Sequence, residues 1–312
     1  MTIFQVKGFI PIDITDAMLV SSSINEPSSA EPTWNSIDTF AEFGLVSVVT
    51  TNSHLVYESL QSGNSNHPTP IPPVESNSWW ILKSYTNRWR MFEWNRGLPS
   101  SGGSPMTTTV RPGKRINAIV LLGMKAATAE VTVQDGIGGA TVYSITKDLL
   151  ARHAMTPYEI AFTPFIYDTV FATFDVPPVG DPVVTVRLTH PDGVCELGRF
   201  AIGMATDLGE VEWNTVAEDE NYSEITYDAG KAVFDPVPSM PGLEMELSID
   251  AKRVNRAVQF KDLANGRAVV WSAMHNIDAY RQMHVMIGPY QRFKFTTLNH
   301  KQSAINLKIR GI

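Results

Sequence analysis

Residues 79–94 read WWILKSYTNRWRMFEW. Four of the chain's seven tryptophans, Trp79, Trp80, Trp89 and Trp94, fall in this stretch, with Tyr85 and Phe92 between them. Burying one such ring removes on the order of 150–250 Å² from water. Any fold the chain adopts must therefore find apolar surroundings for several rings along a short length of backbone, and the stretch is read as a packing centre. It also marks a change of texture. Before it, residues 61–78 hold Pro68, Pro70, Pro72 and Pro73 among Asn and Ser, which predicts an extended loop of polyproline character. After it, strand-like segments recur.

Those segments are short and bounded by turn residues. The run 116–124 is apolar without alternation, the pattern of a strand buried on both faces. Residues 129–134 and 141–145 flank Asp135-Gly-Ile-Gly-Gly, a hairpin turn. Further strands are expected over 171–176, 183–188 and 195–204. Residues 88–94 alternate polar and aromatic types and read as a strand with arginines on one face and rings on the other. The main helical candidate is 147–153, ended by Pro157; 254–263 fits helix or strand equally. N-terminal to the aromatic stretch, 3–14 reads as one or two strands broken at Gly8 and Pro11, 21–35 as loop, and 40–51 with 54–60 as a hairpin. From Asp207 a second series begins. Its cleanest member, 243–249, alternates as L-E-M-E-L-S-I. Short strands with turn signals roughly every 8–12 residues predict an all-β protein of sandwich or jelly-roll type. The expected organisation is a small N-terminal β-hairpin segment with a Pro-rich loop over 1–84, a jelly-roll-like β-sandwich over 85–206 and a second β-sandwich over 207–312.

Composition removes several functions. The 312 residues carry a formal net charge of −7 with no long basic run, which argues against a nucleic-acid partner. Cys195 is the one cysteine, so neither an intrachain disulfide nor a Cys-based zinc site can form, and a lone thiol fits synthesis in a reducing cytoplasm. Lys7, Pro11, Asp13 and Asp16 interrupt the N-terminus, unlike a signal peptide. The apolar run 116–129 is shorter than the ~20 residues of a membrane span, so no membrane insertion is expected. Only 18% of residues are charged, which suits surfaces covered by partners.

Candidate chemistry is sparse. Tyr57, Trp79 and Trp80 could stack on the C–H face of a sugar, with Asn64 or Asn66 hydrogen-bonding its hydroxyls; the competing reading is that the tryptophans anchor the loop onto the next domain. Arg88, Arg90 and Arg96 interleave with Trp89, Phe92 and Trp94. In an acidic chain this mixture reads as packing and protein–protein assembly, where Arg and aromatic residues are enriched, and not as a nucleic-acid platform. Glu218, Asp219, Glu220 and Glu224 lack EF-hand spacing and read as a solvated loop. Glu196, Glu244 and Glu246 are available for hydrolysis, but no spacing singles them out. No G-x-S-x-G elbow, H-E-x-x-H pair or phosphate-binding loop occurs, Cys195 reads as core, and neither an enzyme, a metal nor a cofactor is expected.

The segments ITDAMLVSSSI, VYESLQSGNSNHP and WWILKSYTNRWRMF resemble a group of tailed-bacteriophage virion proteins, whose N-terminal part ends in a WW…TNRW.MF sequence. The strand pair TTTVRPGKRINAIVLLGMKA, the hairpin EVTVQDGIGGATVY and the C-terminal AVVWSAMHN…VMIGPYQRFKF…LKIRGI extend that resemblance over most of the chain. It implies a structural component of a phage tail end, at the baseplate, tail tip or fibre attachment, made in the host cytoplasm and located in the virion tail. Its partners would be other tail proteins and further copies of itself, with Arg88, Trp89, Arg90, Phe92 and Trp94 in packing and assembly. More locally, Val56-Tyr57, GNSNHP and Trp79-Trp80 are similar to small chitin- and cellulose-binding modules, which implies a host-surface glycan as an alternative ligand.

Overall fold

The computed structural model describes residues 4–94, 97–151, 156–162, 165–212, 215–228, 231–237, 239–274 and 277–312. Antiparallel strands dominate these residues and helix is confined to short segments, so the chain is all-β.

Two sheets face each other at the centre. One runs Val170–Thr173, Ala118–Lys125, Val194–Gly203, Ser100–Gly103 in spatial order; the other runs Thr141–Asp148, Thr128–Asp135, Pro182–Thr189, Met106–Val110, Leu19–Ser22. From Ser100 onward the chain crosses between sheets at each connection except the hairpin joining Thr128–Asp135 to Thr141–Asp148. Alternate residues fill the space between: Val131, Val133, Val184, Val186 and Leu188 from one sheet meet Ile119, Leu121, Leu197, Phe200 and Ile202 from the other.

The unbroken apolar run at 116–124 has a direct structural cause. Ile119 and Leu121 point into the sandwich, whereas Ala118 and Val120 point out of its back into a second core with Phe9, Phe174, Val270, Val285 and Ile287. That second core is the seam between the sandwich and a third lobe. Its closeness depends on Gly203, where a Cβ would lie 2.5 Å from Cδ2 of Phe9.

The third lobe takes a form the sequence did not announce. Where two facing sheets are expected over 207–312, a single eight-stranded sheet rolls until its own halves face each other. Its order is Val285–Gly288, Val269–Ser272, Gln5–Phe9, Thr206–Val211, Met240–Asp250, Gln302–Arg310, Tyr290–Thr297, with Val216–Glu220 also pairing with Met240–Asp250. The two end strands are consecutive in the chain, separated only by Pro289. The Arg310 N–H donates to the Pro289 carbonyl at 3.2 Å and the Ile312 N–H to that of Ile287 at 3.1 Å, so the two ends of the sheet meet. Gly288 permits this, because a Cβ there would lie 1.8 Å from the Arg310 carbonyl oxygen. Inside lie Trp271, Leu243, Met245, Leu247, Ile305 and Leu307, and the helix Val254–Ala264 covers them with Ala257, Phe260 and Ala264. The Trp271 indole N–H reaches the Gly288 carbonyl at 2.9 Å.

A small N-terminal module completes the molecule. Leu45–Thr50, Ser53–Ser59 and Trp80–Tyr85 form a three-stranded sheet over Val46, Leu55, Tyr57 and Trp80.

Three expectations are corrected. Residues 1–84 are not one unit: Gln5–Phe9 lies inside the rolled sheet and Leu19–Ser22 edges the sandwich. The helical candidate 147–153 fails because 141–148 is strand, with Ala129 opposite Lys147 and Thr128 opposite Asp148; cross-strand pairing outweighs local propensity. Pro157 instead begins a short helix, Pro157–Phe162, at the position where its missing N–H has no cost; residues 152 and 153 lie outside the described residues. Finally, 88–94 is not a strand. Arg90–Phe92 is a 3-10 turn, because its neighbours serve more cores than the two faces of a strand allow.

Because an N-terminal strand sits mid-sheet in the C-terminal lobe, residues 207–312 expressed alone are expected to lack a cooperative thermal transition by circular dichroism. Adding a peptide of residues 1–12 is expected to restore one. A cooperative melt from the fragment alone would contradict this topology.

Candidate assembly surface

The aromatic stretch enters the core of the N-terminal module, the sandwich core and the seam, but not the interior of the rolled sheet. Trp80 is fully buried in the N-terminal module, where its indole N–H donates to the His67 carbonyl at 2.8 Å. Met91 and Phe92 enter the sandwich core, with Phe92 5.7 Å from Phe200. Trp94 packs at the seam with the rolled sheet. Trp89 lies between module and sandwich, its ring stacked on His54 at 4.2 Å.

Around Trp89 is a buried polar latch. Glu26 accepts from the Thr86 hydroxyl, from the Trp89 indole N–H at 3.1 Å and from His54 Nδ1 at 2.9 Å, while Arg88 lies 3.6 Å from it. The other ring nitrogen of His54 meets Asp16 at 2.5 Å. Glu31 pairs with Arg90 and accepts from the Asn87 N–H at 3.0 Å. The arginines are thus committed to carboxylates and carbonyls of 16–31, with Arg88 Nε also reaching the Ile24 carbonyl at 2.8 Å and Arg90 Nε that of Tyr85 at 3.1 Å. Burial alone would push the His54 pKa down, but hydrogen bonds and charge from Glu26 and Asp16 raise it above its ordinary 6.5. For Glu26, burial pushes up, yet bonds from His54, Thr86 and Trp89 hold it below 4.5. Asp16 is likewise opposed by burial and lowered by its bonds to Asn52 and His54. With a carboxylate at each ring nitrogen, His54 ties Asp16 and Glu26 to the strand Ser53–Ser59.

Other residues singled out in the sequence are dispersed. Tyr57 is 1% exposed and donates to the Pro70 carbonyl at 3.2 Å, so Tyr57 and Trp80 hold the Pro-rich loop from beneath. Trp79 is half-buried and stacked on His67 at 3.8 Å. The three rings therefore form no sugar platform, because loop packing has consumed two of them and one face of the third. Asn64 is buried, donating to Ser59 Oγ at 2.8 Å. Glu196 lies 4.0 Å from Lys125 on the sandwich, while Glu244 pairs with Arg292 and Lys308 on the rolled sheet, so no shared cleft unites these carboxylates. Glu218 and Glu220 sit on a strand, not a loop, bound to Lys308 at 2.7 Å and Arg310 at 2.6 Å. Cys195 is buried, its thiol 3.4 Å from the Leu188 carbonyl. Arg96 lies outside the described residues. Among the described residues no cluster of His, Cys, Asp and Glu is set to hold a metal, and no helix is long and apolar enough to cross a membrane.

The feature that sequence reasoning missed is an arm. Beyond Val216–Glu220 and before Met240–Asp250 the chain extends as a two-stranded hairpin, Glu224–Asp228 with Lys231–Asp235, paired with no other strand among the described residues. Ile225 pairs across it with Phe234, and Tyr227 with Ala232, so these four share one face. That face meets solvent: Ile225 is 59%, Tyr227 80% and Phe234 60% exposed. A period-two apolar pattern, I-x-Y against A-x-F, was present in the sequence but masked by the acids around it. Comparison with protein-family models, with curated proteins and with solved structures finds no match to this chain.

Two outcomes test the packing. Trp80→Ala is expected to destabilise the protein by about 3–5 kcal/mol, read by chemical denaturation, as for a fully buried indole. A change within error would show that the ring anchors nothing. The raised His54 value contributes stability that is fully present below pH 6.5 and is lost as pH rises through the folded-state value. The lowered Glu26 and Asp16 values contribute stability present above 4.5 and 3.8, respectively, and lost on acidification. Denaturation midpoints should therefore be highest between about pH 4.5 and 6.5, and His54→Gln should flatten the alkaline decline.

Proposed function

We propose that this chain is a structural component of a phage tail end, at the baseplate, tail tip or fibre attachment, and that it works by protein–protein assembly. The observation that carries the reading is the arm, a hairpin with an aromatic face turned to water. Monomeric proteins seldom expose contiguous apolar surface of this kind unless it meets a partner. Two further features support it. The eight sandwich strands from Ser100 to Gly203 cross between two facing sheets at all but one connection, which supports reading this lobe as a jelly roll, an architecture used by viral shell domains and lectins alike. The three lobes are also joined by shared cores and by the ion latch, which suits a rigid building block. In this reading the WW…TNRW.MF segment that carries the resemblance to phage virion proteins is the internal brace, and the arm is the contact surface.

Mass spectrometry of purified particles, with labelled antibody located by electron microscopy, tests the assignment. The chain is expected in the tail at a fixed copy number. Detection only in infected cytoplasm, never in particles, would overturn the reading.

A further inference from the structure

We propose that the arm of one copy docks on the edge strand Tyr290–Thr297 of a second copy, joining copies head to tail. The inference rests on the assembly reading and names the partner for the same arm.

Four observations converge. First, the arm is held stiffly at its root. Ser223 closes the neck, its hydroxyl donating to the Val237 carbonyl at 3.1 Å and accepting the Val237 N–H at 2.9 Å. Tyr222 lies under the Arg310 guanidinium at 5.2 Å, and Arg310 binds Glu220. A preorganised element loses little entropy on binding.

Second, the same molecule offers a receiver. Tyr290–Thr297 ends the strand path, and among the described residues no strand pairs with its outer side. An unpaired edge is a template for an added strand. Beside that edge, a pocket of about 420 Å³ lies on the outward face of the sheet, where Glu246, Asn306 and Lys294 stand side by side on three neighbouring strands next to Arg292 and Thr296.

Third, the two surfaces match in polarity on both faces. On the receiver, half-buried Phe293 and Phe295 point to the lobe's interior, while Arg292 and Lys294 point outward and are exposed. On the arm, Ile225, Tyr227 and Phe234 lie on one face and exposed Glu224 and Asp235 on the other. Adding the arm to the edge would set rings beside rings and carboxylates beside cations. Arg292 already meets Glu244 at 3.3 Å, but a surface pair of this kind contributes little and leaves it open to a second carboxylate.

Fourth, arm and receiver sit at opposite sides of one section of sheet. The arm grows from the hairpin Val216–Glu220 with Met240–Asp250, and Gln302–Arg310 separates that hairpin from Tyr290–Thr297. The contact is therefore heterologous. Repeated, it closes a ring or extends a filament.

The test uses the full chain in sedimentation velocity over a concentration series. The wild type should self-associate. Arg292→Glu with Lys294→Glu, and separately Glu224→Lys with Asp235→Lys, should each weaken association at least about a hundredfold, since like charges then oppose across the contact. An equimolar mixture of the two variants should associate again. Circular dichroism melts check that each remains folded; should a charge variant unfold, Tyr227→Ser with Phe234→Ser tests the same arm without charge. A wild type that is monomeric throughout, association untouched by these changes, or a mixture that stays apart would overturn the inference. Presence in particle tails alongside any of those results would sink only this contact, whereas absence from particles would sink the tail reading whatever the chain does in solution.

Discussion

The strands Ala118–Lys125 and Val194–Gly203 are covered on both faces, and much of the architecture follows from that. A two-sided strand must satisfy its backbone within the ladder, because no water reaches it, and must carry apolar side chains at successive positions. Ile119 and Leu121 serve the sandwich; Ala118 and Val120 serve the seam. Three of the outward positions are small, Ala118, Ala201 and Gly203, so that Phe9 and Val270 of the rolled sheet come close. Large side chains there would hold the lobes apart. The sandwich and the rolled sheet are thus layers of one body.

Onto that body the N-terminal module is fastened by a different force. Its attachment runs through the Glu26–His54–Asp16 latch and the Glu31–Arg90 pair, with Trp89 stacked over the imidazole. Burying charge is unfavourable unless each ion finds partners, and removing one partner leaves the other stranded. Glu26 has three hydrogen-bond donors and Glu31 has two, so the network is satisfied as a unit and depends on all its members. Apolar burial joins the two large lobes; charge satisfaction joins the small one.

The arm stands apart from both. Among the described residues it adds no side chain to the cores, and its rings gain by burial only when another surface covers them. A hairpin of two short strands is marginal by itself in water. Here the neck contacts at Ser223 and Tyr222 and its continuity with the edge of the rolled sheet keep it extended. Assembly would then add contacts to a shape already present, without ordering a loose segment.

Local chemistry in the sequence determined a good part of this. The continuous run at 116–124, the Asp135-Gly-Ile-Gly-Gly hairpin and the alternation at 243–249 each follow from side-chain period or turn geometry, and each appears as strand or turn. The density of tryptophan in 79–94 marked a packing centre, since large rings require burial. The sequence did not determine which core each ring would enter, and the strand reading of 88–94 failed because distant partners, Glu26, Glu31 and Phe200, decide where Trp89, Arg90 and Phe92 point. Nor did it show that Gln5–Phe9 would cross the molecule to lie between Val269–Ser272 and Thr206–Val211, or that one sheet would roll until its ends met at Gly288 and Arg310. Pairing over such separations reflects which edges remain open once the rest has packed, and no window of neighbouring residues carries that information. The arm's face was legible as alternation, but its exposure was not: only the tertiary structure decides which apolar face is left without a cover.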